Sequence, residues 1–235
     1  MENHPIATRA AWIEARKELL AKEKEFTRLR DQLSQKRRDL PWVRVDKPYV
    51  FEGPSGKETL PQLFEGKSQL IVFHFMFDPS WEAGCKSCSF WADNFNGIIV
   101  HLKHRDVTMV AVSRAPLDKL AAYRKRMGWG FKWLSSFGSD FNRDYQVSHT
   151  PEELAQGEAE YNYTRQKPYG SEAPGISVFW NDGRGAVFHT YSCYARGLDM
   201  LNGAYHLLDL VPKGRDEDSL PFHSSWLRRH DEYTD

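Results

Sequence analysis

The sequence predicts an α/β domain built on a central mixed sheet flanked by helices, with a long helix ahead of it and an aromatic tail behind. Three observations carry this. Residues 69–77 and 107–113 are short apolar runs rich in β-branched and aromatic residues, the mark of buried strands. Between them Cys88, Trp91, Ala92, Phe95, Ile98, Ile99 and Leu102 recur at helical spacing, so strand, helix and strand follow one another. Farther on, the runs 174–180 and 186–191 flank Asn181-Asp182-Gly183-Arg184-Gly185, a glycine-rich turn that closes a hairpin.

Composition fits such a domain. The 235 residues can bury one large core, and 40% hydrophobic with 27% charged residues is ordinary for a globular chain. Lys+Arg and Asp+Glu both total 32, so no charge imbalance points to nucleic acid or an anionic membrane surface. With 8 Trp, 10 Tyr and 14 Phe, several aromatics must lie at a surface, groove or contact. Met1-Glu2-Asn3-His4-Pro5 lacks a basic stretch followed by an apolar one, and no apolar run is long enough to span a bilayer. Three cysteines do not staple a secreted scaffold. A cytoplasmic location is expected, where a cysteine pair is reactive or metal-bound.

Taken in order, residues 8–39 read as one charged helix with Thr8 as N-cap. Trp12, Leu19, Phe26, Leu33 and Leu40 recur every seven residues, which suits either an arm on its own domain or a homodimerisation arm. Pro41 ends it. Residues 43–51, interrupted by Pro48, suit an edge strand, and 52–57 a turn. Leu60-Pro61-Gln62-Leu63-Phe64 is a helical turn before Gly66. One helix is expected over 88–104, another from Pro116 to Met127, a third strand over 131–135, and a short helix or turn over 140–147. The polar stretch 148–172, with Tyr161, Tyr163 and Tyr169, reads as an insertion over one face. Leu198, Leu201, Tyr205 and Leu208 predict a last helix over 197–210. The expected organisation is an arm (1–41), a domain (42–212) and a tail (213–235). Phe222, Trp226 and Tyr233 suggest that the tail docks on the domain or on a second subunit.

The chemistry is concentrated in Gly84-Cys85-Lys86-Ser87-Cys88, between the first strand and its helix. Two cysteines three apart can close a small ring, and the first sits where unpaired N–H groups of a helix N-terminus favour a thiolate. The competing reading is a metal pair, completed by nearby His. Structural zinc needs four ligands and a lone CxxC supplies two. Cys193, at the end of the second hairpin strand, is either an extra redox thiol or a small buried hydrophobe.

The order strand, CxxC, helix, strand, helix, strand, strand, helix resembles the thioredoxin fold. Gly56-Lys57, Leu60, Leu63-Phe64 and Gly66-Lys67 resemble the lead-in of its peroxiredoxin branch, as do Ser139-Asp140 and Tyr145-Gln146-Val147. Phe73-His74-Phe75-Met76-Phe77, the string from Gly84 to Asp93, and Pro174-Gly175-Ile176-Ser177-Val178-Phe179 are similar to one thioredoxin-like family. So are Val187-Phe188-His189-Thr190-Tyr191-Ser192, Arg196-Gly197, Leu208-Asp209-Leu210 and His230-Asp231-Glu232-Tyr233. That family, of unknown function, is described as predicted dithiol-disulfide oxidoreductases. The resemblance covers nearly the whole chain.

It implies Cys85 as nucleophile and Cys88 as resolving thiol, and a cis-proline at Pro174 facing them. The chain departs from thioredoxin, which has Trp before its CxxC and Pro within it, where Gly84 and Lys86-Ser87 stand here. Lys86 is either a cation that depresses a thiol pKa or solvated. Peroxiredoxins place Thr three residues before the reactive cysteine. Here that position is Glu82 before Cys85, or Cys85 itself before Cys88, and Pro79 lies six before Cys85 rather than seven, although Arg114 could orient a peroxide. Asp93 is a candidate proton relay or a partner for a helix polar group. Trp81 and Trp91 line a groove or the core. His74 and His189 are core histidines or a paired polar site under the CxxC loop. His230-Asp231 suggests docking.

The expected activity is thiol–disulfide exchange with a protein or small-molecule disulfide and an unspecified reductant, without a cofactor. The alternatives are a binding module without turnover, a thiol peroxidase, and a CxxC metal site.

Overall fold

A computed structural model describes residues 4–234. The first three residues of the opening segment read above, and the last residue of the tail, lie outside the described residues. The chain divides into two compact units, Met1–Pro41 and Trp42–Asp235.

The first unit is helix α1, Arg9–Arg38. Thr8 caps it, its hydroxyl accepting from Ala11 N–H at 3.3 Å, and Lys36, Arg37 and Arg38 suit the negative C-terminal end. None of its residues is buried, and the seven-residue stripe of Trp12, Leu19, Phe26 and Leu33 lies exposed along it.

The second unit is built from strands β1 (Val43–Arg44), β2 (Val50–Gly53), β3 (Gly56–Thr59), β4 (Gln69–His74), β5 (Val107–Ser113), β6 (Trp133–Ser135), β7 (Ala159–Tyr161), β8 (Thr164–Gln166), β9 (Gly175–Asn181) and β10 (Val187–Tyr194). Its helices are α2 (Lys86–Ala92), α3 (Ile99–His104), α4 (Leu117–Arg126), α5 (Phe141–Asp144), α6 (Pro151–Gln156) and α7 (Gly203–Leu208). Eight strands form one mixed sheet in the order β1-β10-β9-β4-β5-β6-β2-β3, with β4, β5 and β6 parallel and the hairpin β9–β10 antiparallel. Parallel strands joined through helices, then an antiparallel hairpin beside the first of them, make a thioredoxin-like fold. β7 and β8 pair separately within 148–172.

Side chains alternate across β4 with period two. Phe73, with Phe75 and Phe77 beyond the strand end, packs under α2 and α4 against Cys88, Ala92, Phe95, Leu120, Tyr123 and Trp133. Leu70 and Val72 face the other way, against Leu63, Phe64, Phe141, Tyr145 and Phe179. His74 shares that second face, 5.5 Å from the Phe141 ring and 6.0 Å from that of Tyr145.

Several elements differ from expectation, each for a local reason. The helix over 88–104 is two short helices. At the break, Asn94 Nδ2 donates to the carbonyls of Phe90, Trp91 and Leu201, and Asn96 binds Gly128 and Gly130, so side-chain amides displace the helical pattern. The helix over 197–210 is a 3-10 turn (Ala195–Leu201) and then α7. Asn202 bonds Trp91 Nε1 and Asp199 at the junction, and Gly203 approaches Asn94. Residues 43–51 split at Pro48: β1 pairs with β10 at one edge, while β2 pairs with β6 and β3 on the far side.

His74 and His189 are joined, but on the sheet face opposite α2. His74 Nε2 lies 2.8 Å from Ser177 Oγ, which is 2.8 Å from Ser192 Oγ, which is 2.7 Å from His189 Nε2. Burial, with a smaller contribution from His189, lowers the His74 pKa to about 3. The unfolded chain therefore takes up a proton below about pH 6.5 that the folded chain refuses, and His74 withdraws stability as pH falls toward 3. Denaturant midpoints measured from about pH 7 to about pH 4 should fall less steeply in His74→Phe than in the unsubstituted chain. Parallel curves would remove His74 as the source.

Candidate active site

The chain leaves β4 at the point where its neighbours hold it on both sides. Phe75 N–H donates to Val112 O at 3.0 Å, while the facing register pair is His74 with Gly175. The following loop folds back so that Cys85 N–H donates to Met76 O at 3.1 Å and Met76 N–H reaches Cys88 Sγ at 3.4 Å. Cys85 is the N-cap of α2 and half-buried; Cys88, one turn in, is fully buried.

The two thiols are hydrogen-bonded to each other, with no bond between the sulfurs. That contact, with Cys88 as donor, is the largest cause lowering the Cys85 pKa to about 7. Burial opposes it, while the N–H groups of Cys88 and Ser87 and the charge of Arg229 assist. Cys88 moves the other way. Burial, its bond to Cys85, and the charges of Cys85 and Glu172 hold its proton on, against the Met76 N–H. The pair is therefore polarised into one accessible thiolate and one buried thiol.

Three cations tie down the loop. Lys119 Nζ donates to Pro79 O at 2.8 Å and Trp81 O at 3.1 Å. Arg114 donates through Nη2 to Asp78 at 2.8 Å and through Nε to Glu172 at 2.6 Å, joining the CxxC loop to the segment that enters β9. Arg229, from the tail, donates to Gly84 O at 2.8 Å. Glu172 is buried and also accepts from Ser148 at 2.8 Å. Burial raises its pKa to about 7 against the pull of Arg114 and Ser148.

The expected supporting residues are distributed unevenly. Trp81 packs half-buried on the core below the loop. Pro174 stands at the same sheet end as the CxxC, but no peptide among the described residues is cis. The trans proline presents its carbonyl to Tyr161 Oη at 2.7 Å, where the insertion 148–172 fills the space beside it. Lys86 is exposed at the first position of α2, and the cation acting on Cys85 is Arg229. Asp93 caps the far end of α2, accepting from Trp129 Nε1 at 2.8 Å and contacting His230 Nδ1 of the tail at 2.7 Å. Trp91 joins the core and bonds Asn202. Among the described residues no group of three or more His, Cys, Asp or Glu is arranged to hold a metal ion.

Sequence reasoning missed Glu172, Ser89, Tyr123 and Arg229. The one available signal was position: Glu172 stands two before Pro174, and Arg229 directly precedes the His230-Asp231-Glu232-Tyr233 string.

Fold and site together define a thioredoxin-like protein with a dithiol at the head of its first crossover helix. Residues 1–233 match the model of a family of bacterial proteins of unknown function, DUF899, and the chain belongs to that family. No curated protein matches it in sequence. Similar solved structures include the bacterioferritin comigratory protein of Xanthomonas campestris (13% identity, 66% of this chain and 86% of that one, TM-score 0.41). Peroxidoxin BcpB of Mycobacterium tuberculosis is another (12%, 68% and 92%, 0.42). So is the mitochondrial 2-Cys peroxiredoxin of Plasmodium falciparum (11%, 70% and 92%, 0.40).

Gly84 is a packing requirement of this site. A Cβ there would lie 2.7 Å from Phe75 Cε1 and 3.0 Å from Tyr123 Cε1, both on buried rings. Gly84→Ala should cost about 1–3 kcal/mol in urea unfolding. An unchanged midpoint would mean that the loop adapts freely.

Proposed function

We propose that the chain is a thiol–disulfide oxidoreductase in which Cys85 attacks and Cys88 resolves. The observation that carries this is the opposite polarisation of two hydrogen-bonded thiols, Cys85 drawn toward the thiolate and Cys88 held protonated beneath it.

The Cys85 thiolate attacks one sulfur of a substrate disulfide. A Cys85–substrate disulfide forms, the substrate S–S bond breaks, and the second substrate sulfur leaves as a thiolate. Cys88 then loses its proton and attacks Cys85 Sγ. The substrate's first sulfur leaves as a thiolate, and two electrons have passed from the dithiol to the substrate. Glu172, buried and facing Cys88 electrostatically, disfavours a second negative charge there until Cys85 has lost its own. A dithiol reductant would restore the pair by the same exchange in reverse.

The test is the reduction potential of the pair, from mass spectrometry of alkylated protein across a glutathione series. A single two-electron transition is expected in the unsubstituted chain and none in Cys85→Ser, while Cys88→Ser should accumulate a mixed disulfide. A midpoint near about −270 mV would mark a reductase and one near about −120 mV an oxidant. Thiols that stay reduced throughout would defeat the reading.

A further inference from the structure

The tail turns back over the CxxC, and its contacts there are specific. Arg229 Nη2 donates to Gly84 O at 2.8 Å, and Nε donates to Tyr123 Oη at 2.8 Å. Tyr123 Oη lies 2.8 Å from Ser89 Oγ, and Ser89 Oγ donates to Cys85 O at 2.8 Å. The donors order themselves. Ser89 spends its one proton on Cys85 O, so Tyr123 donates to Ser89 and accepts from Arg229. One guanidinium thus grips the carbonyl before Cys85 directly and the carbonyl of Cys85 through a two-hydroxyl relay.

The guanidinium is itself held from outside. Glu232 accepts from Arg229 Nη1 at 2.8 Å and from Arg126 Nη2 at 2.9 Å, and Arg126 Nε donates to Asp231 at 2.7 Å. These outer groups are part-exposed, whereas the Arg229 side chain is 14% exposed.

We propose that Arg229 is a positioning residue for Cys85, and that docking of the C-terminal tail assembles the reactive loop. This rests on Cys85 being the attacking thiol. Two effects act together: the CxxC turn is fixed at both carbonyls, and a positive charge is placed beside the sulfur. Facing Cys85 are Cys88 and Arg229, with Tyr123 and Glu232 behind Arg229 and Glu172 on the Cys88 side; Lys86 is exposed.

The experiment is the pH profile of Cys85 alkylation in the full chain, followed residue by residue by mass spectrometry. Arg229→Gln should slow alkylation at neutral pH by about three- to tenfold and move the profile to higher pH. Arg229→Lys, keeping charge without the fork, should restore part of the rate. Arg126→Gln, which leaves Arg229 in place but removes its outer clamp, should shift the profile less, in the same direction. A profile for Arg229→Gln that overlays the unsubstituted one, with native circular dichroism, overturns the proposal. Should that variant not fold, an overlaying Arg126→Gln profile overturns it equally. If Cys85 and Cys88 never form a disulfide while Arg229→Gln still slows alkylation, exchange chemistry falls and the positioning role stands.

Discussion

Strand β4 is the constraint from which the site follows. It is bonded along its whole length on both sides, to β5 in parallel from Gln69 with Val107 to His74 with Val112, and to β9 antiparallel from Gln69 with Trp180 to His74 with Gly175. Both ladders end at His74, so the chain that carries the cysteines leaves the sheet where the segment entering β9 arrives. That coincidence puts Glu172 and Pro174 at the CxxC end, and lets Arg114, just beyond β5, join Asp78 to Glu172. A register slip of one residue would move His74 to the α2 face and a phenylalanine away from it. The buried His74–Ser177–Ser192–His189 chain and the Phe73 core each hold the register from one side of the sheet.

Within that frame, two identical side chains one helical turn apart acquire opposite character. Cys85 sits outside the first turn of α2, where the N–H groups of Ser87 and Cys88 favour charge on its sulfur. Cys88 sits inside the turn, fully buried among Phe75, Phe77 and Ala92, with Met76 N–H as a backbone donor. Burial acts on both, and what separates them is the supply of donors. The bond between them adds to the split, because a proton on Cys88 stabilises the charge on Cys85 and that charge keeps the proton on Cys88.

The sheet was legible because its central strands are coded locally. β4, β5, β9 and β10 are apolar runs bounded by Gly, Pro or Asn-Asp-Gly turns, and the cysteines stand at a strand-to-helix junction visible in the spacing. The helices were less legible because periodicity ignores side chains that compete for backbone groups. Asn94, Asn96 and Asn202 stand at the helix breaks, and all three bond residues over thirty positions away. Pro174 misled for a related reason: the space beside it is occupied by Tyr161 from an insertion whose packing no local pattern encodes. Arg229 was marked only by its place before the His230-Asp231-Glu232-Tyr233 string, since the bond from its side chain to Gly84 joins residues 145 positions apart.

A cation supplied by the tail differs in kind from one built into the sheet. Arg114 is held between two carboxylates of the domain interior, and its field at the site is fixed with the fold. Arg229 comes from the tail, whose outer contacts through Asp231, Glu232 and His230 lie among part-exposed groups where ion pairs are weak and screened by salt. On the proposed chemistry, linkage makes the coupling mutual: whatever the docked guanidinium contributes to the thiolate, the thiolate contributes to docking. Closing a Cys85–Cys88 disulfide removes the negative charge from Cys85 and withdraws that contribution. The bonds from Arg229 to Gly84 O and Tyr123 Oη remain. The tail would then respond to the oxidation state of the pair in degree, tighter over the dithiol than over the disulfide, and the size of that difference is set by how much of the Cys85 thiolate Arg229 sustains.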